Sequence, residues 1–260
     1  MNNLNFKIIT EDLLETFLVA GKVAKDISSE GVKIEIKPDN TPVTNGDLAV
    51  DKIISEKIRK LTPNIPIISE ETIDLSKKNN NRTFWLVDPI DGTRDYIKKG
   101  DEYTLNASLI TDFKPSLGVI YAPAKDRLFF SYGIDQSYEI HNGNKIKLNS
   151  NYNKVNKNKI IALSNSDNTP DEVLLIYKKY KVTETTRMSS SLKFCILAAG
   201  EADIYAAKAR AYEWDIAAGH TILEHAGGSV TDHNEKKFLY GKKDYKNLPI
   251  IAKRSSKIEV

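Results

Sequence analysis

Along the first sixty residues the apolar positions recur twice at helical spacing. Leu13, Leu14, Phe17, Leu18 and Ala24 share one face of a helix predicted over residues 10–30, with Glu11 and Asp12 suited to its positive end and Gly31 beyond its last turn. Val50, Ile53, Ile54, Ile58 and Leu61 repeat the pattern in a second helix, opened by Thr44-Asn45-Gly46-Asp47. Asp47 stands three residues after Thr44, the spacing of a capping-box acid. Between the helices, residues 33–37 alternate like a strand, and Asp39 to Pro42 reads as a turn.

The pattern then shifts to strand-like runs. Residues 65–68 form a short apolar strand ending in Ser69-Glu70-Glu71, and Trp85-Leu86-Val87 forms another that runs into Asp88-Pro89-Ile90-Asp91-Gly92-Thr93. Runs over 103–110, 117–121, 128–132, 138–141 and 145–148, joined by short turns, predict an antiparallel meander. Residues 149–159 are rich in Asn and Lys without periodicity and make the best junction, dividing the chain into subdomains 1–150 and 151–260. Beyond it, strands at 160–163, 182–185, 202–206 and 248–252 alternate with helices at 171–180, 191–199 and 216–226, the order of a layered α/β unit.

Composition narrows the class. At 260 residues, with 40% hydrophobic and 28% charged positions, the chain has ample core for two packed units and no stretch long enough to cross a bilayer. The N-terminus lacks a basic start followed by an apolar run, so no secretory signal is expected and the cytoplasm is the expected compartment. The single Cys195 excludes an internal disulfide and sits in an apolar context that suits a buried side chain. A net charge of +3 spread over scattered lysines argues against a nucleic-acid groove. The histidines His141, His220, His225 and His233 lack paired metal spacing and read as structural.

The candidate chemistry is acidic. Two strands each deliver carboxylates at their C-terminal ends, where open α/β proteins bind ligands. If the strands are neighbours, three or four carboxylates meet. Two like charges ~4 Å apart at an effective dielectric near 20 repel by about 4 kcal/mol, so such a cluster calls for a cation. Asp88 and Asp91, with the amides of Gly92 and Thr93, suit a hard dication bridged to a phosphate. In the second half, Asp215 precedes a helix and reads either as its N-cap or as a further acid of this site. Ser189-Ser190-Ser191-Leu192-Lys193 opens another helix with hydroxyls and a lysine, and reads either as a serine cap or as a dock for a second phosphate.

Several segments together resemble the inositol monophosphatase superfamily, and within it the bacterial 3′(2′),5′-bisphosphate nucleotidases. They are Pro42-Val43-Thr44 with Asp47, Ser69-Glu70-Glu71, the run from Trp85 to Thr93, Gly118-Val119-Ile120-Tyr121-Ala122-Pro123, Ser190-Ser191-Leu192-Lys193-Phe194-Cys195, and Trp214-Asp215-Ile216-Ala217-Ala218-Gly219-His220. The resemblance implies a five-layer α-β-α-β-α sandwich and a Mg²⁺-dependent, lithium-sensitive phosphomonoesterase that converts adenosine 3′,5′-bisphosphate to AMP and phosphate. An inositol- or sugar-monophosphate phosphatase using the same site is the alternative. By the match, Glu70, Asp88, Asp91, Asp215 and the Ile90 carbonyl correspond to metal ligands, and Asp47 and Thr93 to the pair that activates water. Gly92, Thr93, Ser191, Lys193 and Asp215 correspond to substrate contacts. The implied partner is a small phosphate ester, and the resemblance leaves room for a homodimer and for contact with the inner face of the membrane. One stretch departs from the pattern: where the nucleotidases carry Tyr-Pro-Arg-Phe-Gly ahead of Trp-Asp, this chain reads Tyr205-Ala206-Ala207-Lys208-Ala209-Arg210-Ala211-Tyr212.

Overall fold

The computed structural model describes residues 4–75, 79–151, 155–156, 158–166 and 168–259. Part of the predicted junction (152–154 and 157) and the start of the N-terminus (1–3) lie outside the described residues.

The first helix, α1 (Phe6–Glu30), begins four residues earlier than the apolar spacing predicts, because Asn5 caps it: its Oδ1 accepts from Ile8 N at 3.1 Å. Gly31 ends it with φ at 109°, a backbone state that favours glycine. A small hairpin follows, β1 (Ile34–Ile36) against β2 (Pro42–Thr44), and leads directly into α2 (Asn45–Leu61). The main sheet has seven strands in the order β3 (Ile67–Ser69), β4 (Phe84–Asp91), β5 (Thr104–Thr111), β6 (Lys114–Ala122), β7 (Arg127–Ser131), β8 (Ser137–His141) and β9 (Asn144–Lys147). Only β3 and β4 are parallel; the rest is the antiparallel meander that the turn spacing predicts. A short helix, α3 (Thr93–Ile97), follows β4 and was not predicted.

The second half builds a five-stranded sheet in the order β11 (Glu184–Arg187), β10 (Ile161–Ser164), β12 (Ile204–Ala207), β14 (Ile250–Lys253) and β13 (Ser229–Asp232). Its helices are α4 (Asp171–Lys179), α5 (Leu192–Ala198) and α6 (Glu213–His225). Strand β13 escapes the sequence pattern, since only Val230 in Ser229–Asp232 is apolar.

Alternation along β4 explains the layering. Trp85 and Val87 pack with Phe17, Ile54 and Ile58 against α1 and α2, while Phe84 and Leu86 pack with Phe194, Ala218 and Ile222 against α5 and α6. The five-stranded sheet closes the far side of α5 and α6, and its own outer face takes Val173 and Tyr177 of α4. The result is the five-layer α-β-α-β-α sandwich. The seven-stranded sheet ends at Lys147 and the five-stranded one starts with β10, but the middle core joins residues from Ile68 to Ala252. Arg127 bridges Glu139 of β8 at 2.5 Å and Glu201 after α5 at 2.5 Å, a further tie across the layers. No described helix is long and apolar enough to cross a membrane.

Candidate active site

By strand parity, Asp88 lies on the Leu86 side of β4, facing α6. Asp91 is three residues further on, so an unbroken strand would turn it to the opposite side. The register shifts between Asp88 and Asp91, where Pro89 cannot donate to the ladder. Ile90 therefore points into the α1/α2 core, and Asp91 returns to the Asp88 side. Gly92 then turns the chain with φ at 90° into α3.

Three elements bring carboxylates together. Glu70 follows β3, which pairs in parallel with β4, and Asp215 sits in the first turn of α6. One oxygen each of Glu70, Asp88 and Asp215 lie within 4.8 Å of one another. Asp88 is buried, and its Oδ1 has no hydrogen-bond partner. Burial, then the charges of Glu70, Asp91 and Asp215, push the Asp88 carboxyl well above its ordinary range; Asp215 is raised in the same way by burial, Asp91 and Glu70. A buried carboxylate oxygen with no donor, facing two more carboxylates, is the donor set a hard divalent cation requires.

Asp91 is held differently. Its Oδ2 accepts from Ser191 N at 2.5 Å and Ser191 Oγ at 2.7 Å, and Asn106 Nδ2 donates to the same serine hydroxyl at 3.2 Å. The start of α5 thus holds an anion, but the anion is the chain's own Asp91. Ser191, which the sequence reads either as a serine cap or as a phosphate dock, has both its amide and its hydroxyl on Asp91, and the hydroxyl also meets the Asp215 carbonyl. Ser191 does not cap α5 with its side chain.

Asp47 and Asp215 have the same local construction. Asp47 Oδ2 accepts from Thr44 N at 2.8 Å, completing the capping box, and Asp215 Oδ2 accepts from Tyr212 N at 2.8 Å. Asp215 is therefore the third helical residue of α6 rather than its N-cap, and the helix starts earlier than predicted, at Glu213. In each case the cap occupies one oxygen and leaves the other free of it, in Asp215 on the cleft and in Asp47 towards Thr93. Asp47 Oδ1 lies 3.4 Å from Thr93 Oγ1, which also reaches the Ile90 carbonyl at 3.2 Å. Capping and site geometry are thus compatible roles for Asp47. Burial raises its carboxyl above the ordinary value against the opposing pull of the Thr44 bonds.

Sequence reasoning missed Lys37. It follows β1, and its Nζ contacts Glu70 Oε1 at 3.0 Å and Glu71 Oε2 at 3.1 Å. Burial and the charge of Glu70 raise Glu71 to about 7. The only hint of Lys37 in the sequence is its place just before Pro38, which carries no chemistry of its own.

Glu70, Asp88, Ile90, Asp91, Thr93 and Asp215 line a cleft of about 560 Å³. Its lining also includes Lys193, Tyr205, Lys208 and Arg210, with Lys193 near enough to Asp91, and Arg210 to Asp215, for their charges to act on the acids. Lys193 is buried, donates to the carbonyls of Met188 (3.3 Å) and Ser190, and lies over the Tyr205 ring at 5.2 Å. Burial lowers its ammonium to about 8. Arg210 and Lys208 are exposed on the loop between β12 and α6. The histidines of α6 are structural: His220 Nδ1 pairs with Tyr240 Oη at 2.8 Å, and His225 Nδ1 with Ser131 Oγ at 2.6 Å. Cys195 is fully buried.

Comparison with known proteins places this arrangement. The chain is 41% identical over 205 residues (78% of the chain, 76% of the relative) to the 3′(2′),5′-bisphosphate nucleotidase CysQ of Buchnera aphidicola. It is 32% identical over 238 residues (91% and 88%) to the protein of the same name from Aggregatibacter actinomycetemcomitans. The crystal structure of CysQ from Bacteroides thetaiotaomicron, described as a bacterial member of the inositol monophosphatase family, superposes with a TM-score of 0.78 at 29% identity, covering 96% of this chain and 98% of that one. The profile of the inositol monophosphatase family matches residues 9–258, nearly the whole length, and the chain belongs to that family of metal-dependent phosphatases.

Proposed function

We propose that this protein is a Mg²⁺-dependent 3′(2′),5′-bisphosphate nucleotidase that hydrolyses adenosine 3′,5′-bisphosphate to AMP and phosphate. The observation that carries the reading is the convergence of Glu70, Asp88 and Asp215 within 4.8 Å, with Asp88 Oδ1 lacking a donor, in a cleft that also holds a buried lysine. The names of the nucleotidase relatives support the substrate class.

In this reading Glu70, Asp88 and Asp215, with Asp91 and the Ile90 carbonyl beside them, would hold the divalent ions. When bound, such ions lower the pKa of water and neutralise phosphate oxygens in an in-line displacement. The protein's own part is placement and proton handling. The Thr93 hydroxyl, between Asp47 Oδ1 and the Ile90 carbonyl, takes a proton from the attacking water as it passes its own to the Asp47 carboxylate, so the water becomes hydroxide, Thr93 stays a neutral hydroxyl and Asp47 ends protonated. The Thr44 amide holds Asp47 in orientation, so the carboxylate needs no rearrangement to receive it. The amides of Gly92 and Thr93, at the turn into α3, orient the reacting phosphate. Lys193 and Arg210, in the lining of the same cleft, take the second phosphate.

Phosphate release from adenosine 3′,5′-bisphosphate and from inositol 1-phosphate, measured with and without Mg²⁺, tests the assignment. The expected outcome is Mg²⁺-dependent turnover with strong preference for the bisphosphate, suppressed by lithium. Preference for the inositol ester would replace it with the inositol-phosphatase reading.

A further inference from the structure

One buried acid has no part in the chemistry above. Asp51 lies one helical turn beyond Asp47 on α2 and is 6% exposed. Its Oδ1 accepts from Ser69 Oγ at 2.5 Å and from Ser55 Oγ at 3.3 Å, and among the described residues it has no ion pair. Burying a carboxylate with only hydroxyls as partners is unfavourable unless the position gains something else.

Its neighbours indicate what that is. Ser69 ends β3 and immediately precedes Glu70. The Ser69 carbonyl accepts from Ile73 N at 2.9 Å and Thr72 N at 3.2 Å, so the chain turns at this residue, while Glu70 N donates to Val87 O on β4 at 3.1 Å. The backbone bonds secure Glu70 to β4. The Ser69 side chain adds the one hydrogen bond described here that links this turn to α2 through a side chain, and α2 is the element that carries Asp47.

We propose that Asp51 is a positioning residue for the metal site: by gripping Ser69 it sets Glu70 against Asp88 and Asp215, and sets that cluster relative to Asp47. The inference rests on the reading of Glu70 as a metal ligand. Groups that orient a ligand from behind typically change metal affinity by ~10–100-fold when removed.

The two hydroxyls on Asp51 give an internal control. Ser55 is on α2, as Asp51 is, and does not touch the Glu70 turn, whereas Ser69 is part of it. Mn²⁺ binding to the purified full-length chain, followed by calorimetry with thermal melting in parallel, separates the cases. Ser69→Ala and Asp51→Ala are expected to weaken Mn²⁺ by ~10-fold each, with the double variant no worse than the weaker single one, the signature of a shared interaction. Asp51→Asn keeps an oxygen to accept from Ser69 and should lose less. Ser55→Ala should stay within about twofold of the parent while its melting temperature falls. Should Asp51→Ala fail to fold, Ser69→Ala against Ser55→Ala decides. The inference is overturned if Ser69→Ala binds Mn²⁺ as the parent does, or if Ser55→Ala loses as much as Ser69→Ala. Glu70→Gln is run alongside: unaltered Mn²⁺ affinity there would sink the metal assignment itself, separately from the Asp51 link.

Discussion

The acid wall of the cleft is assembled from regular, buried elements, whereas its cation wall offers a buried lysine and an exposed loop arginine. Glu70, Asp88, Asp91 and Asp215 are placed by strand pairing, a register shift and a helix cap, and each is held by backbone or side-chain bonds that exist without any ligand. Arg210 has no such framework; it lies in the segment where the chain departs from the nucleotidase pattern. The acid wall accumulates charge of one sign at the expense of stability, and the exposed Arg210 of the cation wall carries no such cost. Chemistry should therefore depend steeply on the first wall, and substrate preference more gently on the second.

The sharpest way to break that contrast is Asp88→Asn. It should lower kcat/KM by ~10³-fold or more. It should also stabilise the metal-free protein, raising its melting temperature by about 3 °C, because a crowded, partnerless carboxylate is replaced by a neutral amide. The sign with pH follows from the direction of the shift. The folded-state carboxyl is raised, so its contribution to stability is fully present below the unfolded value and lost as pH rises through the folded one. The gain from Asp88→Asn should thus be present at about pH 7 and fade towards about pH 4, near the unfolded aspartate value. Melting curves in chelator at both pH values check this; a variant less stable than the parent at neutral pH would contradict the account of the acid wall.

Thr93→Ala should cost ~10²-fold in kcat, with KM and metal affinity little changed, because it removes the proton path to Asp47 rather than the charge cluster. Steady-state kinetics over a Mg²⁺ titration would separate the two. A fall in metal affinity as large as that in kcat would move Thr93 to the metal side.

The cation wall predicts smaller effects confined to substrates with a second phosphate. Lys193 titrates near 8, so kcat/KM for adenosine 3′,5′-bisphosphate should fall relative to that for 3′-AMP as pH rises past about 8, by ~10-fold per unit at most. Parallel profiles for the two substrates would remove Lys193 from second-phosphate recognition. Arg210→Ala, on the exposed loop, should raise KM for the bisphosphate by only ~3-fold and leave 3′-AMP unaffected, since exposed charge pairs contribute about 1 kcal/mol or less.

Much of this molecule was legible in the chain because the signals are local. The meander from β5 to β9 follows from alternation and short turns, and Asp47 announced itself as a cap three residues after Thr44. Strand β13 was not legible because its polar residues give no apolar run, and Lys37 was not because only folding brings it to Glu70. The bond from Ser191 to Asp91 was not legible because composition says which groups can bind an anion, not which anion the fold brings to them.

What the sequence by itself determined is the set of elements and the residues able to do the chemistry, since period, caps and turn residues act over a few positions. Tertiary structure decided which way those residues face. Asp88 and Asp91 share a side only because the register slips between them, Asp91 takes up the start of α5, and Asp215 reaches Glu70 only because α6 packs across the sheet. Those outcomes depend on contacts between residues as much as 145 positions apart, as Glu70 and Asp215 are, and no local pattern encodes them.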